Sequence, residues 1–305
     1  MRSGLLRVLP FALLGVALVA GSCVTAAKPQ RRPAPPSPSA QPLPPPPPVA
    51  TGPADFSLAG EMTQGGWIRG AAPGSTVELT LAGKALAVAG DGSFFAAFDR
   101  DAPPTALLAA KRIDGQVVTR LLTVTPRAWK IEHVNIARRP GGATDDFMRI
   151  RQPELARIAA ARRIDSGSQG WRQQFIWPVK GRVSGQFGSQ RVYRGGEAGA
   201  YHSGTDIAGG AGVPFVAPAD GVVILAAETP FSLEGHLLMI DHGMGLNSAF
   251  LHCSQLLVKD GERVRQGQVI GRIGATGRAT GPHLHWSIKW RDARLDPILF
   301  TGPMR

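Results

Sequence analysis

The sequence predicts a mainly β protein: a C-terminal antiparallel β-sheet domain preceded by a small β-sandwich and a short helical connector. Three observations carry this. Between residues 56 and 127, short β-rich runs are punctuated by turn residues. From residue 175 onward, longer runs alternate apolar and polar residues between glycine-rich turns. Only the stretch around 144–164 repeats apolar residues near the helical period. Strands do not alternate with helices, which argues against a doubly wound or barrel α/β fold.

At the N-terminus, Arg2 and Arg7 precede an apolar run at 8–20 and the small residues Gly21 and Ser22. This is the pattern of a secretory signal peptide, placed at residues 1–26. The run is short for a membrane span. Two processing sites stay open. Cys23 follows Ala-Gly-Ser, which resembles a bacterial lipobox and would become a lipidated, membrane-attached N-terminus; Val24-Thr25-Ala26 fits ordinary cleavage. Either way the expected location is the periplasm or cell envelope. The chain carries 34 Lys+Arg against 22 Asp+Glu, a formal net charge of +12. Such a balance favours anionic partners, and export argues against nucleic acid among them. Cys253 has only Cys23 as a conceivable partner, so no disulfide is expected and Cys253 reads as a small buried thiol.

Residues 27–53 form a proline-rich tether with five consecutive prolines at 44–48. It cannot build a core and prefers extended polyproline II. The sandwich is placed at 54–127, with strands at 67–68, 77–81, 85–88, 94–98 and 117–124 and turns at Pro73-Gly74 and Gly90-Asp91-Gly92. It resembles bacterial immunoglobulin-like modules weakly. With no histidine and no carboxylate cluster, it reads as a packing or positioning element. In the connector, 128–174, Phe147, Ile150, Leu155, Ile158 and Ile164 mark a helix. Pro153 is expected to split this stretch into a turn and a helix, lying in the helix's first turn. Arg157, Arg162 and Arg163 are expected to face solvent. The C-terminal domain, 175–305, takes its strands from 213–227, 236–241, 248–252, 268–273 and 283–290.

Chemistry concentrates in this last domain. His202-Ser203-Gly204-Thr205-Asp206 and Gly281-Pro282-His283-Leu284-His285 supply three first-row metal ligands and a spare imidazole, the inventory of a zinc hydrolase. Residues two apart in a strand share a face, so His283 and His285 point into one site and Leu284 away from it. Gly204 and Gly209-Gly210 argue that the first motif lies in a loop or strand edge, not on a helix. Either motif alone is weak and reads as a surface pair. Both together in one exported β domain, with His252 as a further imidazole, are hard to reconcile with accident. His242, His236 and His133 read as structural.

The stretch 176–300 resembles the M23 (lysostaphin-type, LytM) zinc metallopeptidases. The resemblance rests on Trp177-Pro178-Val179, Gln186-Phe187-Gly188, His202 through Ala208, and Ala217-Pro218-Ala219-Asp220-Gly221. It continues with Asp241-His242-Gly243, Val264-Arg265-Gln266-Gly267-Gln268, Gly274-Ala275-Thr276-Gly277 and Gly281 through His285. It implies His202, Asp206 and His285 as ligands of one Zn2+ per chain, and His252 and His283 as non-ligand catalytic histidines. It also implies an endopeptidase acting on peptidoglycan cross-links or stem peptides. The competing reading is a non-catalytic LytM-type cell-wall binder or amidase activator; such relatives typically lose metal ligands, and this chain keeps them. A regulatory protein partner that uncovers the groove is a further expectation. Two positions depart from the pattern: Phe250 stands where many relatives have Tyr, and Ser287 where many have Glu.

Overall fold

A computed structural model describes residues 51–137 and 144–304. The signal peptide, Cys23 and the tether up to residue 50 lie outside the described residues. Among those described, no helix is long and apolar enough to cross a membrane.

The N-terminal part is two antiparallel sheets. Strand Trp67–Ala71 pairs with Ser57–Gly60 on one side and Ser93–Ala97 on the other. In the second sheet Thr76–Leu81 lies between Lys84–Ala85 and Thr105–Arg112, which in turn pairs with Val117–Thr123. Alternation places Leu79, Leu108, Ala110 and Leu122 inside, in one apolar cluster with Ile68 and Phe94 from the first sheet. Leu107 and Leu121 are registered opposite each other and exposed on the outer face. Strands Ser57–Gly60 and Thr105–Arg112 are not evident in the sequence. Thr105–Arg112 is built from Ala, Leu, Lys and Arg, residues that favour helices. Pairing on both edges overrides that preference. In the 85–88 run, Leu86 still bonds across to Leu79 O and is buried, but the regular ladder stops at Ala85.

The C-terminal part is mainly one twisted eight-stranded sheet, antiparallel throughout. Its order is Arg263–Val264, Gly221–Ala226, His236–Gly243, Leu246–Cys253, His283–Trp290, Thr205–Ala208 and Val183–Gly185, with Ala293–Leu295 also pairing to His283–Trp290. A three-stranded sheet of Pro214–Val216, Val269–Arg272 and Gln255–Leu256 packs against it. Phe250 sits in that core, its ring 5.3 Å from Phe215 and 6.5 Å from Trp286. Cys253 is also buried there, and burial pushes its thiol up to about 12. The sandwich and this sheet share a continuous apolar core. Trp67 lies 5.3 Å from Phe300, and Phe95 lies 6.1 Å from Trp290.

The segment 128–174 packs onto the C-terminal part. Strand Ile131–His133 pairs in parallel with Gln190–Val192, and Trp171 is fully buried. The helix spans Asp145–Ala161, and two sequence expectations for it are corrected. Thr144 caps its start by accepting from Phe147 N at 3.2 Å, so Pro153 lies inside a continuous helix and not in its first turn. The inward face carries Arg151, Glu154, Ile158 and Ala161, while Ile150 and Leu155 are exposed. Arg151 donates to both carboxylate oxygens of Glu234 at 2.6 Å and to Glu154 at 2.9 Å. Glu154 in turn accepts from Ser232 N and Oγ at 2.6 Å. A buried ion pair of this kind sets register, because shifting the helix would strand a charge without its partner. Arg162 is not simply solvent-facing either: its guanidinium donates to Asn247 Oδ1 at 2.9 Å.

Candidate metal centre

Asp206 is the hub, and the sheet puts it there. Its strand, Thr205–Ala208, pairs Asp206 directly opposite His285 on one side and Gly185 on the other. His202, four residues earlier, is clamped to the neighbouring turn by two backbone bonds of 2.8 Å, His202 N to Ser189 O and Gly188 N to His202 O. The ring is then aimed by a third bond: Nδ1–H donates to Gln186 O at 3.1 Å. A carbonyl only accepts, so the proton is on Nδ1 and Nε2 carries the lone pair.

Three ligand atoms converge. His202 Nε2 lies 3.1 Å from Asp206 Oδ1 and 3.1 Å from His285 Nδ1, and His285 Nδ1 lies 2.8 Å from Asp206 Oδ1. A single proton can satisfy only one of these contacts, whereas a cation satisfies all of them. Ligand atoms about 2.0–2.1 Å from a tetrahedral zinc stand about 3.3 Å apart. The observed triangle is slightly tighter, and its donor set of two imidazoles and one carboxylate fits that metal. Burial opposes the charge of Asp206, but hydrogen bonds and charge from His202 and His285 outweigh it and hold the carboxyl well below the usual range. Burial lowers His285. It also pulls on His202, where the bonds to Asp206 and Gln186 prevail and raise the ring.

Two further imidazoles stand beside the triangle. His283 opens the strand His283–Trp290, with Nε2 3.7 Å from Asp206 Oδ1 and Nδ1–H donating to Gly281 O at 2.8 Å. His283 and His285 thus do share a face, as their spacing predicts. His252 lies at the end of Leu246–Cys253 with a φ of 64°, a conformation a non-glycine residue holds only when its surroundings impose it. Those surroundings are visible. His252 N donates to Glu234 O at 2.8 Å, and Nδ1–H donates to Thr276 O at 2.8 Å. Its ring centroid is 5.0 Å from that of His283, and burial lowers its pKa. The remaining histidines stand apart. His242 bridges Asp220 O and Ser248 Oγ inside the core, where burial lowers it to about 4, and His236 donates to Ala227 O.

Several supporting residues are not apparent in the sequence. A Cβ at Gly185 would collide with Asp206 Oδ2, and one at Gly204 would come within 2.7 Å of His285 Nε2. These glycines are needed for the ligands' packing, which only tertiary structure reveals. The Phe250 position contributes no polar group to the site, since its ring lies in the core, and Ser287 is registered opposite Ala249. The triangle divides an open groove. On one side lies a cavity of about 840 Å³ whose lining includes Gln186, Gln190 and Tyr201; on the other lies one of about 380 Å³ whose lining includes His252, His283 and Leu251.

Residues 200–297 match the model of Peptidase family M23. Peptidoglycan DD-endopeptidase ShyA of Vibrio cholerae is 38% identical over 132 residues, 43% of this chain and 30% of that protein. Peptidoglycan DD-endopeptidase ShyC of the same organism is 42% identical over 105 residues, 34% of this chain and 24% of that protein. The chain therefore spans less than a third of the length of these curated relatives. The crystal structure of a protein from Pseudomonas aeruginosa assigned to peptidase M23 superposes with a TM-score of 0.59 at 29% identity, covering 80% of this chain and 96% of that one. That likeness extends well beyond residues 200–297. The two histidine motifs that converge on Asp206 thus lie within residues 200–297, the stretch that matches the model of Peptidase family M23.

Proposed function

We propose that this protein is an exported zinc endopeptidase that hydrolyses peptide bonds of bacterial peptidoglycan. His202, Asp206 and His285 hold one Zn2+ per chain, and His252 and His283 are the non-ligand catalytic histidines. The observation that carries the reading is the convergence of three ligand atoms with two further imidazoles whose Nδ1–H groups are already committed to carbonyls. The names of the relatives ShyA and ShyC support peptidoglycan as substrate. The signal peptide expected at 1–26 supports export, and a lipidated Cys23 would add membrane attachment.

Zinc, when bound, lowers the pKa of water toward about 7 and polarises a carbonyl. The chain's own residues do the rest. With Nδ1 committed, each of His252 and His283 offers Nε2 as an acceptor when neutral and as an N–H donor once protonated. A neutral ring takes the attacking water's proton at Nε2 and returns it to the leaving amine. A protonated ring donates from Nε2 to the developing oxyanion. Burial keeps His252 neutral, suited to the first role. The open groove on both sides of Asp206 lets an extended peptide cross the site.

Purified protein incubated with peptidoglycan sacculi is expected to release new amines and muropeptide fragments with zinc and none with a chelator. Zinc-replete protein that releases neither would sink the proposal. Gly204→Ala is expected to weaken zinc binding by roughly 10–100-fold, because the new methyl meets the Trp286 carbonyl at 2.5 Å and His285 Nε2 at 2.7 Å and so displaces both the His285 ring and the strand that carries it. Competition against a chelating dye measures this, and wild-type affinity in the variant would remove Gly204 from the account.

A further inference from the structure

We propose that Arg278 is the anchor for a free carboxylate on the peptide substrate, a specificity role that rests on the peptidase reading above. Three residues line both halves of the groove: His202, Asp206 and Arg278. The first two belong to the metal centre. Arg278 therefore stands where a peptide crossing from one half to the other must pass.

Its charge is uncompensated. Every carboxylate lining the groove is already engaged: Asp206 by His202 and His285, Glu132 by Arg191 at 2.9 Å, and Glu234 by Arg151 at 2.6 Å. Among the described residues, Arg278 has no side-chain hydrogen bond or ion pair. Arg278 is exposed to solvent, so its guanidinium is free to meet an anion that enters the groove. Guanidinium pairs with carboxylate through two parallel bonds, which fixes orientation as well as position.

The base of this arginine is rigid while its head is free. Arg278 N donates to Leu233 O at 2.9 Å. Gly277, at φ 70°, passes so close to Gly235 that a Cβ would collide with its backbone nitrogen. One residue earlier, Thr276 O holds His252 Nδ1. The turn that presents Arg278 is thus the same turn that orients a proposed catalytic histidine, so a carboxylate held by Arg278 is registered against the reacting atoms.

The test uses two substrates: native sacculi, and sacculi whose peptide carboxylates have been converted to amides with carbodiimide and ammonium. Initial rates are measured at subsaturating substrate for wild type, Arg278→Gln and Arg278→Lys, with zinc content and thermal melting confirming folded, loaded protein. Wild type is expected to prefer native over amidated sacculi roughly tenfold or more. Arg278→Gln is expected to lose that preference by slowing on native sacculi alone, and Arg278→Lys to keep part of it. An Arg278→Gln preference equal to that of wild type overturns the anchor and leaves the peptidase reading standing. Wild type inactive on native sacculi overturns both.

Discussion

Asp206→Ala is expected to abolish both zinc binding and peptidoglycan cleavage while leaving the fold intact. Asp206 Oδ1 is the atom that His202, His285 and His283 all approach, at 3.1, 2.8 and 3.7 Å. It is also the only formal negative charge in the triangle, held ionised by its two imidazole neighbours. Without it, two neutral rings face a dication. Lewis-acid stabilisation of several kcal/mol disappears with the metal, and at about 1.4 kcal/mol per tenfold the rate falls roughly 10³-fold or more. The fold survives because the backbone of strand Thr205–Ala208 is paired on both sides, whatever side chain residue 206 carries. Zinc content, digestion rate and thermal melting of the variant check the three parts separately. Wild-type digestion by a zinc-free variant would refute the metal's role.

His252→Asn and His283→Ala should separate chemistry from metal binding. Asparagine suits position 252 because it tolerates the left-handed backbone that His252 occupies at φ 64°. A positioned acid–base group contributes roughly 10²–10⁴-fold to rate. Each variant is therefore expected to lose that much in kcat and to keep its zinc. In His252→Asn the acid limb of the pH profile should flatten, because the base that burial favours in its neutral form is gone. Full activity in His252→Asn would leave its strained backbone and its bond to Thr276 without a catalytic explanation.

Much of this site was legible in the sequence because strand geometry is local. The two-residue spacing of His283 and His285 requires a shared face, and both rings do meet Asp206. The glycines around His202 argued for a loop or strand edge, and Asp206 indeed lies in a short strand next to the short terminal strand of the sheet. What could not be read depends on contacts distant in sequence. Gly185 is packed against Asp206, and Gly204 against His285. Thr276 and Glu234 hold His252 through backbone carbonyls, for which any residue type would serve. The helix shows the same limit. Its apolar residues mark a helical period, yet the buried face is the one bearing Arg151 and Glu154, because Glu234 and Ser232 wait opposite. Strand Thr105–Arg112 was hidden for a related reason, its helix-favouring composition yielding to partners on both edges.

The division of five residues into three ligands and two proton carriers is the centre of the account, and zinc stoichiometry tests it most directly. Metal analysis of wild type and of the five single variants at 202, 206, 252, 283 and 285, after dialysis at a fixed low free zinc, should split them into two groups. One zinc per chain is predicted for wild type and for the 252 and 283 variants, with little or none for the 202, 206 and 285 variants. Zinc lost from the 283 or 252 variant, or retained in the 206 variant, would contradict it.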